Sequence, residues 1–292
     1  MPRLAYVNGR YVPHAQAAVH IEDRGYQFAD GVYEVVPVHR GRLVDEAPHL
    51  DRLDRSLKEL RIDWPMPRAA LQMVARELIR RNGLNNGIVY LQVTRGVAPR
   101  DHKFPATSKP ALVLTTKRLK PIPETLLAEG VSVITIPDIR WQRCDIKSIS
   151  LLPNVLGKQQ AVEAGAFEAW QVDAEGYVTE GTSTNAWIVT GEGRLVTRNA
   201  EAAILNGITR LSLLSIARDE GVPFEERRFT VAEAKAAREA FLTSSSSFVL
   251  PVTRIDGDPV GDGKPGPLTK RLREHYLAYI EGDGAERPGA RG

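Results

Sequence analysis

Tight-turn dipeptides set between short strand-like runs are the strongest constraint on this chain. Residues 4–7 and 11–12 are apolar-patterned and flank Asn8-Gly9. An Asn-Gly pair tolerates positive φ at both positions, the geometry that closes a two-residue antiparallel hairpin. Residues 32–38 read as a strand turning at Arg40-Gly41, and residues 248–255 as a strand turning at Asp256-Gly257. Helical patterns interrupt these strands without the regular alternation of a doubly wound sheet. The expected class is therefore α+β, in two domains.

Leu50, Leu53, Leu57 and Leu60 recur at i, i+3, i+7 and i+10, one face of an amphipathic helix. A second helix is expected from about 67, where Pro67 suits a first turn, to 82, with Gly83 ending it. Strand patterns follow at 88–94 and 111–116. Residues 119–123, Leu-Lys-Pro-Ile-Pro, read as a linker. They separate a smaller N-terminal domain over 1–118 from a larger one over 124–292. The second half is expected to hold a strand at 131–136 and a helix over about 155–164, stopped by Gly165. Short strands between 167 and 196 and a helix from near 208 to before Gly221 follow. Thr230 to Glu233 match a capping box. Strands at 241–243 and 248–255 precede a last helix over about 267–280. From about 281 the tail is polar and Gly-rich, and fraying is expected.

Composition removes several classes of function. A single cysteine, Cys144, excludes a disulfide framework and a cysteine-rich zinc site, and fits a reducing compartment. No apolar run approaches the ~20 residues that span a bilayer. The first residues lack the layout of a signal peptide, so a cytoplasmic protein with no membrane partner is expected. With 39 basic against 36 acidic residues the net charge is only +3. The basic clusters are short and lack interleaved aromatics, so a solvated face is expected and no nucleic-acid partner. The 6 histidines are dispersed, with no His-Glu-x-x-His or Cys-x-x-Cys, and no metal ligand is assigned. A Gly-x-Ser-x-Gly elbow, a Walker A loop and a dinucleotide fingerprint are all missing. Cys144 reads either as a nucleophile or, more commonly for a lone cysteine, as a small buried apolar residue.

Four segments are polar where a core would want apolar residues. Lys147 follows Ile146 and precedes the Ile149-Leu151-Leu152 run. A lysine held partly buried there would be shifted toward the neutral amine that Schiff-base chemistry needs; a snorkelling surface lysine has the same signature. Glu180 ends a strand pattern and opens Gly-Thr-Ser-Thr-Asn. It is either an inward-facing anion opposite a cation or part of a surface loop. Gly207 lies just before a helix whose first turn carries Thr209; the positive end suits an anion, and an ordinary helix start has the same signature. Ser244 to Ser247 form a hydroxyl-rich turn between Phe241-Leu242 and Phe248-Val249-Leu250, either phosphate-binding or a low-complexity linker. A lysine, an acid and two hydroxyl-bearing anion cradles together make the inventory for pyridoxal 5′-phosphate.

The runs Asp23-Arg24-Gly25-Tyr26-Gln27-Phe28-Ala29-Asp30-Gly31-Val32-Tyr33-Glu34-Val35, Asp145-Ile146-Lys147-Ser148, Thr179-Glu180-Gly181 and Asn206-Gly207-Ile208-Thr209-Arg210, with the serine loop, resemble the class IV aminotransferases, the fold type IV pyridoxal-phosphate enzymes. The resemblance spans about residues 3 to 280. Val93 to His102, ending in Arg100-Asp101-His102, looks most like the D-amino-acid aminotransferases of that family. This resemblance implies an N-terminal α/β sandwich and a C-terminal α+β pseudo-barrel with the cofactor between them. It implies that Lys147 forms the Schiff base and shuttles the substrate proton, and that Glu180 pairs with the ring nitrogen. Arg52, Ile208, Thr209, Ser244 and Ser245 would hold the phosphate, and Leu205 would pack on the ring. Tyr33, Arg100 and His102 would hold the substrate carboxylate, the last two from the neighbouring subunit of a homodimer. The serine loop departs from the mixed Ser/Thr usual in the family, and Phe248 stands where relatives carry a polar residue.

The implied activity is transfer of an amino group from a D-amino acid, such as D-alanine or D-glutamate, to 2-oxoglutarate or pyruvate. A branched-chain L-amino-acid aminotransferase is the alternative on the same fold. An aminodeoxychorismate lyase and a non-catalytic binding protein stand behind it.

Overall fold

The computed structural model describes residues 3–282. Residues 283–292, most of the tail expected to fray, lie outside the described residues. The chain forms two compact units.

The first unit runs to Lys120 and takes in Ile146–Ser150. Its sheet comprises β1 (Leu4–Val7), β2 (Arg10–Pro13), β3 (Gly31–His39), β4 (Arg42–Leu43), β5 (Gly87–Thr94) and β6 (Ala111–Arg118). The strand order is β2-β1-β6-β5-β3-β4, and every pairing is antiparallel. The turns take the expected geometry: Asn8 and Gly9 have φ of 45° and 97°, and Arg40, against the preference of its type, and Gly41 have 49° and 77°. A short helix α1 (Arg24–Phe28) precedes β3; α2 (Glu46–Leu60) and α3 (Arg68–Asn82) cover one sheet face. The leucine stripe of α2 packs there, with Leu50, Leu53 and Leu57 buried beside Leu71 and Leu78 of α3 and Val89, Leu91 and Val93 of β5. Gly83 caps α3 in the left-handed region, as its position implied.

The second unit holds Pro121–Asp145 and Leu151–Gly282. Its strands are β7 (Val131–Pro137), β8 (Glu168–Val172), β9 (Val178–Gly181), β10 (Asn185–Val189), β11 (Leu195–Thr197), β12 (Phe224–Glu226), β13 (Glu239–Ser244), β14 (Phe248–Ile255) and β15 (Asp258–Pro259). They form one sheet in the order β12-β11-β10-β13-β14-β7-β8-β9, with β15 on β14. The pairs β7–β8, β7–β14 and β11–β12 are parallel, so this sheet is mixed. β9 ends the order, yet β10 follows it after a short turn and lies mid-sheet. Gly181 N–H donates to the Thr184 carbonyl at 2.7 Å in that turn, so the sheet curls on itself. Trp170, Phe229, Val178, Ile188 and Leu242 fill the concave core.

The helices of this unit are α4 (Glu124–Glu129), α5 (Leu152–Glu163), α6 (Ile208–Asp219), α7 (Val231–Lys235) and α8 (Pro267–Glu281). Thr230 Oγ1 accepts from Glu233 N–H at 3.1 Å, the forward half of the expected capping box; the Glu233 carboxylate engages Arg227. The helix after Lys147 starts at Leu152, earlier than the sequence pattern placed it.

Candidate active site

Lys147 lies in the segment that leaves the second unit for the first, whereas the reading from sequence placed it in the domain over 124–292. The physical reason is main-chain pairing. Ser148 bridges Val32 at the free edge of β3, and the Lys147 carbonyl accepts from Tyr33 N–H at 3.0 Å. Ile149 N–H donates to the Gly31 carbonyl at 3.1 Å, and Lys147 N–H to Ser56 Oγ at 3.3 Å. Gly31 is required by close approach: a Cβ there would lie 2.7 Å from the Val93 carbonyl oxygen. With its root pinned, half-buried Lys147 places Nζ 4.2 Å from the centroid of the Tyr33 ring. Tyr33 packs against Tyr90 at 5.7 Å, and burial pushes the Tyr90 phenol up to about 12.

Arg52 of α2 is held by Glu34 of β3 through Nε–Oε1 and Nη2–Oε2 contacts of 2.7 Å each. Glu34 is fully buried, and His49 Nδ1 lies 2.8 Å from its Oε2. Burial alone would raise the Glu34 carboxyl, but the Arg52 charge and the hydrogen bonds to Arg52 and His49 outweigh it and hold the group well below the usual carboxylate range. Burial lowers the His49 imidazole, so it sits there neutral. The result is a guanidinium with a fixed plane.

Arg100 and His102 are exposed and rest on one ring, that of Phe28. The Arg100 guanidinium is 4.6 Å from its centroid and the His102 ring 5.4 Å. A two-residue separation thus sets a cation and an imidazole against one ring, groups that can each donate to a carboxylate.

In the second unit Glu180 is buried on β9. Its carboxylate accepts from Asn185 Nδ2 at 3.1 Å and from Leu205 N–H at 3.2 Å, and pairs with Arg140. Arg140 is gripped by Asp138 through Nε–Oδ1 at 2.9 Å and Nη2–Oδ2 at 2.7 Å. Burial works against the Asp138 anion, but the Arg140 hydrogen bonds win and lower it. Asn185 also donates to the Leu205 carbonyl at 2.9 Å, tying the chain before α6 to Glu180. Gly207 is the N-cap of α6, and a Cβ there would fall 2.2 Å from Asn185 Oδ1. No side chain caps this helix, whose first residues Ile208 and Thr209 are buried. An uncapped N-terminus leaves amide donors and a partial positive charge for an anion. Asn185 pairs with Thr243 across β10 and β13, which brings the serine turn to the same end of the sheet. Ser244 Oγ accepts from Ser247 N–H at 3.1 Å and shares a 2.7 Å hydrogen bond with Ser247 Oγ, so it organises the turn; Ser245 is half-buried. Phe248 closes the turn in the left-handed region, φ 58°, its ring 5.5 Å from Tyr276.

Within the first unit Lys147 and Tyr33 meet, Arg100 and His102 each rest on Phe28, and Arg52 sits on the helix packed over β3. Within the second, Glu180, Leu205, Ile208, Thr209 and the serine turn gather at one end of the sheet. Sequence reasoning missed Arg140 as the partner of Glu180 and Glu34 as the partner of Arg52. Glu34 lay inside a quoted run and Arg140 just ahead of one, but only the fold pairs residues that far apart. Cys144 was expected to be buried and apolar; it is half-buried, and its thiol donates to the Trp141 carbonyl at 3.1 Å. Among the described residues no cluster of His, Cys, Asp and Glu could hold a metal, and no helix is long and apolar enough to cross a membrane.

Comparison with known proteins gives the same motifs a wider setting. The chain is 45% identical over 266 residues to a D-alanine aminotransferase of Bacillus licheniformis, across 91% of this chain and 93% of that protein. It is 42% identical over 276 residues to one of Staphylococcus haemolyticus, across 94% and 97%. A crystal structure of a branched-chain aminotransferase from the thermophilic archaeon Thermoproteus uzoniensis, with norvaline, is similar at a TM-score of 0.86 and 26% identity, covering 97% of this chain and 96% of that one. The family model described as amino-transferase class IV matches residues 31–255, a stretch that includes the lysine segment, the glutamate strand and the serine turn, and the chain belongs to that family.

Proposed function

We propose that this protein is a pyridoxal 5′-phosphate-dependent transaminase that moves the amino group of a D-amino acid, such as D-alanine or D-glutamate, to pyruvate or 2-oxoglutarate. The observation that carries the reading is the exposed Arg100–His102 pair on Phe28, a carboxylate-binding set on a chain 42% identical to a D-alanine aminotransferase. The donor chemistry fits the cofactor: a pinned lysine, a buried carboxylate for a ring N–H, and an uncapped helix N-terminus beside a hydroxyl turn. When bound, the coenzyme supplies an aldehyde and an electron sink.

Lys147 Nζ takes the proton from the substrate Cα and returns it on the far side of the transfer. Glu180, paired with Arg140, would hold the ring N–H. Arg52, Ile208, Thr209, Ser244 and Ser245 would hold the phosphate, and Leu205 would pack on the ring. Tyr33, Arg100 and His102 orient the carboxylate, which decides the hand of the amino acid accepted. A second copy of the chain supplies Arg100 and His102. The exposed Ile21 (75%), Tyr26 (76%) and Val97 (46%), which border this loop, support such an interface. The protein acts in the cytoplasm, a setting that fits its free thiol.

The test is a donor panel in both enantiomers with one oxo-acid acceptor. Turnover of D-alanine and D-glutamate over their L forms supports the reading. The likeness to a branched-chain aminotransferase structure favours one other outcome, in which L-leucine is the preferred donor and the D reading falls.

A further inference from the structure

Arg24 is only 3% exposed, and its donors serve one purpose. Nε donates to Asp30 Oδ2 at 2.8 Å, Nη1 to the Asp101 carbonyl at 2.6 Å, and Nη2 to the His102 carbonyl at 3.5 Å. Its guanidinium lies 4.8 Å from the centroid of Phe28, the ring that also carries Arg100 and His102. Asp30 offsets the charge and is itself clasped by Arg95 through contacts of 2.8 and 3.0 Å. Arg95 donates onward to the carbonyls of Leu60 and Arg61 at the end of α2.

The root of Arg24 has no slack. Asp23 caps α1 by accepting from Gly25 N–H at 2.8 Å and from Thr94 Oγ1 at 2.9 Å. A Cβ at Gly25 would lie 2.3 Å from Thr94 Cγ2. The segment it holds is the opposite case: residues 99–110 contain no strand or helix and are almost wholly exposed. A planar guanidinium engages two consecutive carbonyls in a fixed fork; an ammonium is a compact charge whose donors impose no such direction.

We propose that Arg24 is a positioning residue for recognition of the substrate carboxylate. By holding the peptide carbonyls of Asp101 and His102 it sets the direction in which the Arg100 and His102 side chains are presented. This rests on the role given to Arg100 and His102 under Proposed function.

The test uses the holoenzyme and compares Arg24→Met, Arg24→Lys, the pair Arg100→Ala with His102→Ala, and that pair combined with Arg24→Met. Three quantities are read: kcat and KM for D-alanine, and the Kd of propionate, a carboxylate without an amino group, from the visible absorption of the bound coenzyme. Arg24→Met is expected to raise KM and the propionate Kd about tenfold, with kcat within about threefold and coenzyme content retained. Arg24→Lys gives a smaller rise, since it keeps the charge beside Asp30 but not the fork. In the Arg100/His102 double variant, Arg24→Met adds no further loss, because residues acting through one another are not additive.

A full further loss in that background overturns the proposal, as does a loss of kcat and coenzyme in place of carboxylate affinity. Unchanged propionate binding in the Arg100/His102 variant overturns the carboxylate reading and this proposal together. A clear loss there beside an unaffected Arg24→Met overturns this proposal alone. Should Arg24→Met not fold, Arg24→Lys and Phe28→Leu carry the same comparison.

Discussion

Glu34 has no exposed surface, and its charge persists only because Arg52 and His49 face it. Glu34→Gln leaves a guanidinium without its counter-anion, and breaking such a buried pair costs about 3–5 kcal/mol, readable as a lower denaturation midpoint. The pH dependence has a definite sign. The Glu34 carboxyl is lowered on folding, so its stabilisation is complete above the ordinary value of 4.5 and is lost as pH falls through the folded value. His49 is also lowered, from 6.5, because burial disfavours the imidazolium. The unfolded chain therefore takes up that proton first, and stability begins to fall with acid below 6.5. Urea midpoints measured across this range in the parent and in His49→Gln check the point: the variant loses the upper part of the decline. Cys144 makes a separate prediction. Burial pushes its thiol up to about 11, so iodoacetamide should react slowly near neutrality and faster as pH approaches that value. Rapid alkylation at neutral pH would contradict it. Lys147→Ala should abolish turnover and the visible absorbance of a lysine-bound coenzyme while the fold, followed by circular dichroism, survives; retained full transamination would remove the lysine from its role.

At the scale of elements, α8 begins on a carboxylate from a neighbouring strand. Glu239 of β13 accepts from Leu268 N–H at 3.1 Å and Thr269 N–H at 2.8 Å. Gly266 makes room for it, since a Cβ there would lie 2.0 Å from Glu239 Cδ. Gly266→Ala should therefore destabilise the second unit, and Glu239→Ala should remove a cap worth about 1–2 kcal/mol, both measurable by thermal unfolding. Nothing in the sequence marked this pairing, because the two ends lie far apart along the chain. What the sequence did reveal was local. Asn8-Gly9, Arg40-Gly41 and Asp256-Gly257 all take positive φ at both positions, which their residue types favour except at Arg40. The leucine stripe on α2 and the glycine ending α3 are equally short-range signals. The short helices α1 and α4, with too few residues for a periodic pattern, gave no such signal. Parallel pairing of β14 with β7, Val252 opposite Val131, depends on contacts that no local pattern encodes. The same division holds for the site: residue types inside motifs were visible, while the Arg140–Glu180 and Arg24–Asp101 contacts required the fold.

Across the whole molecule, the exposed apolar residues are unevenly spread. Leu152, Val155 and Leu156 share one face of α5 at 68%, 60% and 48% exposure, and the first unit carries its own group in Ile21, Tyr26 and Val97. Faces of this kind fit association, and sedimentation should give twice the 32.2 kDa chain mass, with activity lost on dilution below the dissociation constant. The path of the chain has its own consequence. It passes from one unit to the other at Lys120, again at Asp145, and once more at Ser150. A fragment ending at the proline-rich linker would hold β3 without the stretch of backbone that pairs with its free edge, and would lack Lys147. A single crossover with a relative at residue 120 would take the Lys147 segment from one parent and the β3 edge that pairs with it from the other.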